Sequence, residues 1–258
     1  MTETVSMSEL SKDDYKRRVV DQSGIVLLPV GAVEQHGYSL PLGTDWLLAD
    51  FMAREVAREV NGVVAPPIMY AGRSQVRAGG GAEQYGTTSL DGQTLIAMVK
   101  EVLLGLAGHG VKKIALIDAH FENRSFLDEA CYQCIRELKY AGIEGIKIFK
   151  TQFAEGLSDE VRAKAYEGLP FPGRHLEHGG FYETALMLYA YPHLVDQDKI
   201  PEEDLPDFPP YDVFPENLDW VPESGNLSSG KLATAARGKL MFDEMKQVLV
   251  ASLRAEFD

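Results

Sequence analysis

The sequence is poor in cysteine and in basic residues. Its 258 residues include two cysteines, and 25 Lys and Arg stand against 39 Asp and Glu, which gives a formal net charge of −14. A chain this acidic is repelled by phosphate backbones and anionic lipid, so we expect neither nucleic acid nor a membrane surface as a partner. Cys131 and Cys134 lie in a run with helical spacing and without a second cysteine pair. We interpret them as buried helical thiols in a reducing compartment, rather than as a redox pair or half of a zinc site.

Long apolar runs and common catalytic motifs are also missing. No stretch approaches the roughly 18 apolar residues of a membrane helix, and residues 1–10 lack the basic and apolar regions of a signal peptide. There is no GxSxG, and the glycines at 79–81 lack the order of a phosphate-binding loop. We therefore expect a cytoplasmic protein that acts on a small molecule.

Short apolar runs alternate with amphipathic stretches along the chain. This alternation predicts a parallel sheet covered on both faces by helices, within one domain spanning residues 1–258. Ser11, Thr44 and Ser89 are predicted to cap helices. A long loop is expected over residues 70–86. The predicted strands are 24–30, 62–66, 112–118 and 145–150, and the main predicted helices are 44–60, 89–108, 123–140, 177–190 and 231–256.

Candidate metal ligands follow two of the predicted strands. Glu34 and His36 come after the first strand, Asp45 lies at a helix start, and His120 and Glu122 follow the most apolar strand. Ligands of open α/β sheets bind at the carboxyl ends of strands. Imidazole and carboxylate donors suit zinc, manganese or iron, and two such ions roughly 3.5–4 Å apart support hydrolysis. Each residue also has a structural alternative, such as a helix-start carboxylate for Asp45 or a core histidine for His120.

A third polar cluster is formed by Glu177 and His178, which precede two glycines at a predicted helix start. Such a pair offers a titratable group for proton transfer beside backbone that a ligand can approach closely. The alternative is a glycine-flanked helix start with a capping carboxylate. Composition alone does not separate these two interpretations.

Six segments together resemble the creatininase family of metal-dependent amidohydrolases, and the resemblance extends nearly end to end. It implies a three-layer αβα sandwich with a mainly parallel sheet, two divalent ions (Zn²⁺ and/or Mn²⁺) and a homohexamer. The segments are Leu-Pro-Val-Gly-Ala-Val-Glu-Gln-His-Gly at 28–37, Gly-Thr-Asp at 43–45, Gly-Thr-Thr-Ser-Leu-Asp-Gly at 86–92, Ala-His-Phe-Glu-Asn at 119–123, Leu-Glu-His-Gly-Gly at 176–180 and Pro-Pro-Tyr-Asp-Val-Phe-Pro at 209–215.

The resemblance also implies roles for the candidate ligands. Asp45 would bridge the two ions, with Glu34 and His120 completing one site and His36 and Glu122 completing the other.

In the same resemblance His178 is assigned to proton transfer and Glu177 to the surroundings of the substrate, so that His178, Glu122 and Glu177 form the expected catalytic set. The implied reaction is the opening of a cyclic, creatinine-like amide by a hydroxide that bridges the metals.

The expected substrate wall departs from the family pattern. Creatininases usually carry tryptophans at the positions matching Ala154 and Arg174, a tyrosine at Phe121 and an aspartate at His175. Arg174 instead suits a carboxylate, a phosphate or polar oxygens. The same metal chemistry on a formamide, a lactone or a cyclic ketone of sugar or cyclitol origin is therefore an alternative. A metal-stabilised protein without catalysis is the third hypothesis.

Overall fold

A parallel sheet lies at the centre of the molecule. The computed structural model describes residues 4–202 and 204–257, and within these ranges the sheet has four strands in the order β2-β1-β3-β4. Val30 lies opposite Asp118, and Asp118 lies opposite Gln152, so three strands end together at one edge. The strands are β1 (Ile25–Val30), β2 (Gly62–Val64), β3 (Lys113–Asp118) and β4 (Lys147–Gln152).

Helices cover both faces of this sheet, as the alternation predicts. Side chains alternate along β1: Leu27 belongs to the hydrophobic cluster on one face of the sheet, while Val26 and Leu28 belong to the cluster on the other face. The αβα sandwich is therefore confirmed. The helices are α1 (Lys12–Tyr15), α2 (Thr44–Ala57), α3 (Val76–Gly79), α4 (Gly92–Gly108), α5 (Arg124–Tyr140), α6 (Asp159–Ala165), α7 (Phe181–Ala190) and α8 (Ala235–Phe257).

The predicted helix starts are partly correct. Ser11 caps α1, because its hydroxyl accepts a hydrogen bond from the Asp14 N–H at 3.1 Å. Thr44 is already inside α2, and its hydroxyl donates to the Pro41 carbonyl at 2.7 Å instead. Ser89 lies before the start of α4 at Gly92, since the following Leu90 N–H is bonded to the Ala71 carbonyl.

Two further predictions need correction. The helix predicted over 177–190 begins at Phe181, because Gly179 has a φ of +64° that cannot continue a right-handed helix. The predicted loop over 70–86 contains the short helix α3. Among the described residues, no helix is long and apolar enough to cross a bilayer.

The two cysteines lie on α5 as predicted. Cys134 is buried and Cys131 is half-buried, and both are free thiols. Burial raises the pKa of each thiol to about 11. Both thiols are therefore in their unreactive, protonated form at neutral pH.

Candidate metal centre

The five predicted ligands meet at the carboxyl edge of the sheet. Glu34 and His36 lie on the segment that leaves β1, and Asp45 lies in the first turn of α2. His120 and Glu122 follow β3, where a 3₁₀ turn over Phe121–Asn123 connects the strand to α5. All five side chains are buried. The sheet order explains this meeting, because β1 and β3 are neighbours and end in register.

Asp45 occupies the middle of the cluster. Its Oδ1 lies 3.1 Å from His36 Nε2, and its Oδ2 lies 3.1 Å from His120 Nδ1. Glu34 Oε2 lies 3.2 Å from the same His120 nitrogen. The two oxygens of one carboxylate thus face two different imidazoles.

The structure divides the outer ligands differently from the family-based expectation. Glu122 Oε2 lies 3.5 Å from His120 Nε2, and Glu122 groups with Glu34 and His120 rather than with His36. The place beside His36 is taken by Glu183, whose Oε2 lies 3.6 Å from His36 Nε2.

Glu183 was missed by the sequence analysis. It lies in the first turn of α7, and the side chain is 13% exposed. A lone carboxylate in the otherwise apolar stretch 181–190 was the available signal.

The residues fit divalent cations. Glu34 Oε1, His36 Nε2 and Asp45 Oδ2 are buried, and Glu34 Oε1 has no hydrogen-bond partner among the described residues; the other two atoms lie at ion-pair distance from a carboxylate or a histidine without the geometry of a hydrogen bond. Buried polar atoms without partners are costly, and a cation among them would remove that cost. Mixed imidazole and carboxylate donors suit zinc and manganese.

The pKa values reflect the same accumulation of carboxylates. Burial alone would lower the pKa of His36, but the Glu183 and Asp45 carboxylates outweigh it and raise the pKa well above its usual value. Burial would raise the pKa of Asp45, yet His36 and His120 lower it. The cluster therefore attracts positive charge strongly, which a metal-binding site requires.

His178 lies directly beside this cluster. Its ring is 4.4 Å from the His36 ring, and its Nδ1 lies 3.9 Å from Glu34 Oε2. Its Nε2 lies 3.0 Å from the side-chain nitrogen of Gln35. Burial lowers the pKa of His178, so the neutral ring is favoured.

Glu177 lies beside His178 and is fixed by two hydrogen bonds. The Tyr166 hydroxyl donates to its Oε1 at 2.6 Å, and the Tyr182 N–H donates to its Oε2 at 3.0 Å. Burial raises the pKa of Glu177 to about 8. Tyr166 is a further site residue that the sequence analysis did not identify.

A cavity of about 140 Å³ opens over the cluster. Phe121, Ala154 and Arg174 line it together with Glu34, Asp45, His120 and Glu122. His175 is exposed and is not among the residues that line this cavity. The wall also contains Arg162, which the sequence analysis did not single out.

Buried carboxylates and imidazoles cluster at the carboxyl edge of a parallel sheet, and an open cavity gives access to them. This combination defines the class as a metal-dependent enzyme of α/β architecture. The sequence model of the family "Creatininase: Creatinine amidohydrolase" matches residues 8–253. The chain belongs to the creatininase family of hydrolases.

The similarity extends over complete relatives. A creatinine amidohydrolase of Pseudomonas putida is 37% identical over 257 residues, which are 100% of this chain and 99% of the relative. A solved structure described as a Mn creatininase has a TM-score of 0.96 and 38% identity, covering 99% of both chains. A mutant creatininase of the Zn-Zn type has a TM-score of 0.96 and 37% identity, with the same coverage. Structures in this family thus hold manganese or zinc, and this chain has a matching cluster of metal-binding residues.

Proposed function

We propose that the protein is a two-metal amidohydrolase that opens a cyclic, creatinine-like amide. The observation that carries the proposal is the position of Asp45, whose two oxygens each lie 3.1 Å from a different buried histidine. The similarity to the Pseudomonas putida creatinine amidohydrolase supports the choice of a cyclic amide.

The proposed ligands form two sets around Asp45. His36 and Glu183 would hold one ion, and Glu34 and His120 would hold the other. Two divalent ions at these positions would lower the pKa of a water molecule and polarise the substrate carbonyl. Glu122 lines the cavity with its Oε2 3.5 Å from His120 Nε2, and we propose that it accepts a proton.

His178 is proposed to relay a proton to the leaving nitrogen: its neutral ring would take up the proton that the attacking water loses, by way of Glu122, and then pass it to the nitrogen, so that the ring ends neutral. The orientation of Gln35 is fixed, because its Oε1 accepts from the Gly37 N–H while its Nε2 donates to the carbonyls of Gly79 and Gly225. The amide nitrogen of Gln35 has two hydrogens for these two carbonyls and His178 Nε2, and it cannot accept, so His178 Nε2 is the unprotonated ring nitrogen. The proton of the neutral ring then resides on Nδ1, the nitrogen on the Glu34 side.

Two variants test this division of roles. His120→Ala should lose both bound metal and hydrolysis of creatinine or a related cyclic amide, because it removes a proposed ligand. His178→Ala should retain the metal and lose about a hundredfold or more in turnover, as expected for a general acid. Metal content is measured by atomic emission and turnover by amine or acid release. Undiminished turnover in His178→Ala would exclude the proposed proton transfer.

A second candidate is the same chemistry on a different substrate, such as a formamide, a lactone or a cyclic ketone. The presence of Arg174 on the cavity wall favours it, because a guanidinium binds oxygens rather than the flat ring of creatinine. Arg174→Trp should then weaken the native reaction and improve hydrolysis of creatinine. Unchanged rates on both substrates would argue against this candidate.

The assembly and location follow from the family resemblance and are proposals as well. We infer a homohexamer in the cytoplasm. Light scattering of the purified protein tests the assembly, and a mass near that of one chain would contradict it.

A further inference from the structure

The cavity that is lined by the metal ligands is also lined by three guanidinium groups. Arg124, Arg162 and Arg174 all line the cavity, and the carboxylate of Glu155 lines it with them. This clustering is unexpected in a chain with a formal net charge of −14. The three arginines differ in whether another side chain of the protein balances their charge.

Two of the three arginines have protein partners. Arg124 Nη1 lies 3.1 Å from Glu155 Oε1, so these two opposite charges on the cavity wall compensate each other. Arg162 forms an ion pair with Asp159, and its guanidinium lies 4.6 Å from the centre of the Phe171 ring. Both groups are thus held in place, and their charges are compensated.

Arg174 differs from the other two. Within residues 4–202 and 204–257, no ion pair or hydrogen bond of its guanidinium is found. The residue is exposed and lies in a 3₁₀ turn directly before Glu177 and His178. Gly173, which has a φ of +97°, sets the direction of the chain into this turn. An unpaired guanidinium is therefore presented to the cavity within a few residues of the proposed proton donor.

The carboxylates of the metal cluster are not expected to neutralise the Arg174 guanidinium. Glu34, Asp45, Glu122 and Glu183 together carry four negative charges, which two divalent cations would balance. Glu177, which also lines the cavity, is held by the Tyr166 hydroxyl and the Tyr182 N–H, so Arg174 is the cation of the cavity wall that has no ion-pair or hydrogen-bond partner among the described residues. A carboxylate matches a guanidinium by charge and by the spacing of its two oxygens.

We propose that the substrate bears a carboxylate beside its cyclic amide and that Arg174 binds this carboxylate at the cavity wall. The inference rests on the proposed amide hydrolysis and specifies its substrate class. Arg174 is the residue that determines this specificity, and Arg162 borders the same wall as a fixed neighbouring cation.

The test uses a pair of probes that differ in charge, hydantoin-5-acetate and its methyl ester. Dissociation constants are measured by calorimetry with the zinc- or manganese-loaded enzyme, or as KM where hydrolysis is detected. The wild-type enzyme should prefer the acid by about tenfold or more, as a charge-assisted bidentate contact implies. Arg174→Gln should reduce this preference to about twofold or less. Arg174→Lys should give an intermediate value, because it retains the positive charge but cannot donate two parallel hydrogen bonds to the carboxylate.

The control variant is Arg124→Gln, which removes a cation of the same wall that is already paired with Glu155. It should keep the preference for the acid. Thermal melting checks that each variant is folded. An acid preference that survives in Arg174→Gln, or equal binding of acid and ester by the wild type, would overturn the inference.

The outcome separates this inference from the proposed function. A loaded enzyme that prefers the acid but hydrolyses no cyclic amide contradicts the proposed function and supports the anionic subsite. A metal-loaded enzyme that hydrolyses neutral cyclic amides without preferring the acid supports the proposed function and contradicts the anionic subsite.

Discussion

Gly79 illustrates how one small residue holds the metal cluster in place. A Cβ atom at this position would lie 2.0 Å from Glu34 Oε1 and 2.4 Å from Ser74 Oγ. Both distances are far below any real carbon contact, so a larger residue must displace the Glu34 carboxylate. The last residue of α3 is thus a glycine because a proposed metal ligand occupies the space of its side chain.

Gly79→Ala should lower the affinity for zinc or manganese by about tenfold or more, in the range found when residues that support a ligand are changed. Gly105→Ala is the matched control, because a Cβ atom on this exposed glycine of α4 would have no neighbouring atom within 4 Å. It should leave affinity unchanged and raise stability by about 0.5–1 kcal/mol. Chelator competition measures the affinities, and equal values for the two variants would count against the role of Gly79.

The sequence was informative about single residues where chemistry and position coincided. Glu34, His36 and His120 follow strands that end at one sheet edge, so their meeting was predictable. Glu183 was not, because it reaches His36 through the packing of α7 against α2, which sequence spacing does not encode. Arg162 was not predicted either, because it reaches the cavity through the packing of α6 and not through a local sequence pattern.

At the scale of elements, Asn123 joins the ends of several segments. Its Oδ1 accepts from the Gly72 N–H at 3.0 Å, and its Nδ2 donates to the Gly31 carbonyl at 3.3 Å and to Asp118 Oδ1 at 2.9 Å. The side chain is fully buried. One amide therefore ties the end of β3 to the segment after β1 and to the long segment around Gly72.

Asn123→Ala should cost about 2–4 kcal/mol in the free energy of unfolding, because it leaves buried donors and acceptors unpaired. Asn61→Ala is the control: this residue is exposed, and its side chain donates one long hydrogen bond, 3.5 Å, to the Gln22 carbonyl. Its effect should be within about 0.5 kcal/mol. Urea denaturation of both variants gives the comparison, and similar losses would show that Asn123 does not hold these segments together.

The order and type of the elements were predictable, whereas several helix starts were not. Ser11 caps α1 through a local bond to Asp14, which the spacing encodes. Thr44 and Ser89 have the same residue chemistry but different neighbours: Thr44 is bonded to Pro41, and Ser89 precedes a residue bonded to Ala71. Such tertiary partners decide between a cap and a turn, and they are not visible in a local pattern.

At the scale of the whole molecule, buried carboxyl groups link stability to pH. Burial raises the pKa of Glu177 to about 8, of Glu122 to about 7 and of Asp118 to about 6. A group with a higher pKa in the folded chain binds its proton more tightly there. Its stabilising contribution is full below the pKa of the unfolded chain and is lost as pH rises through these values.

The histidines of the cluster mostly add to this effect. Burial would lower the pKa values of His36 and His120, but nearby carboxylates raise both well above their usual value. Their contribution is also lost as pH rises. His178 acts in the opposite direction, because burial lowers its pKa. The net expectation is a metal-free protein that becomes less stable in mildly alkaline solution.

The free energy of unfolding of the metal-free protein should therefore fall between about pH 5.5 and about pH 8.5. Glu177→Gln should fall less over the same range, because it removes one titrating group. Saturating manganese should also reduce the fall, since metal binding favours the deprotonated ligands. Urea denaturation at the two pH values measures all three. A metal-free protein that gains stability with rising pH would disprove the assignment of these shifts.

The most direct test of the central claim is a titration of the metal-free protein with zinc or manganese, in which bound metal and cyclic amide hydrolysis are measured on the same samples. We predict that two ions are bound per chain at saturation. Hydrolysis should be absent before metal is added and should reach its full rate when both positions are filled. Full hydrolysis by protein stripped of metal, or saturation at fewer than two ions per chain, would contradict the two-metal centre around Asp45.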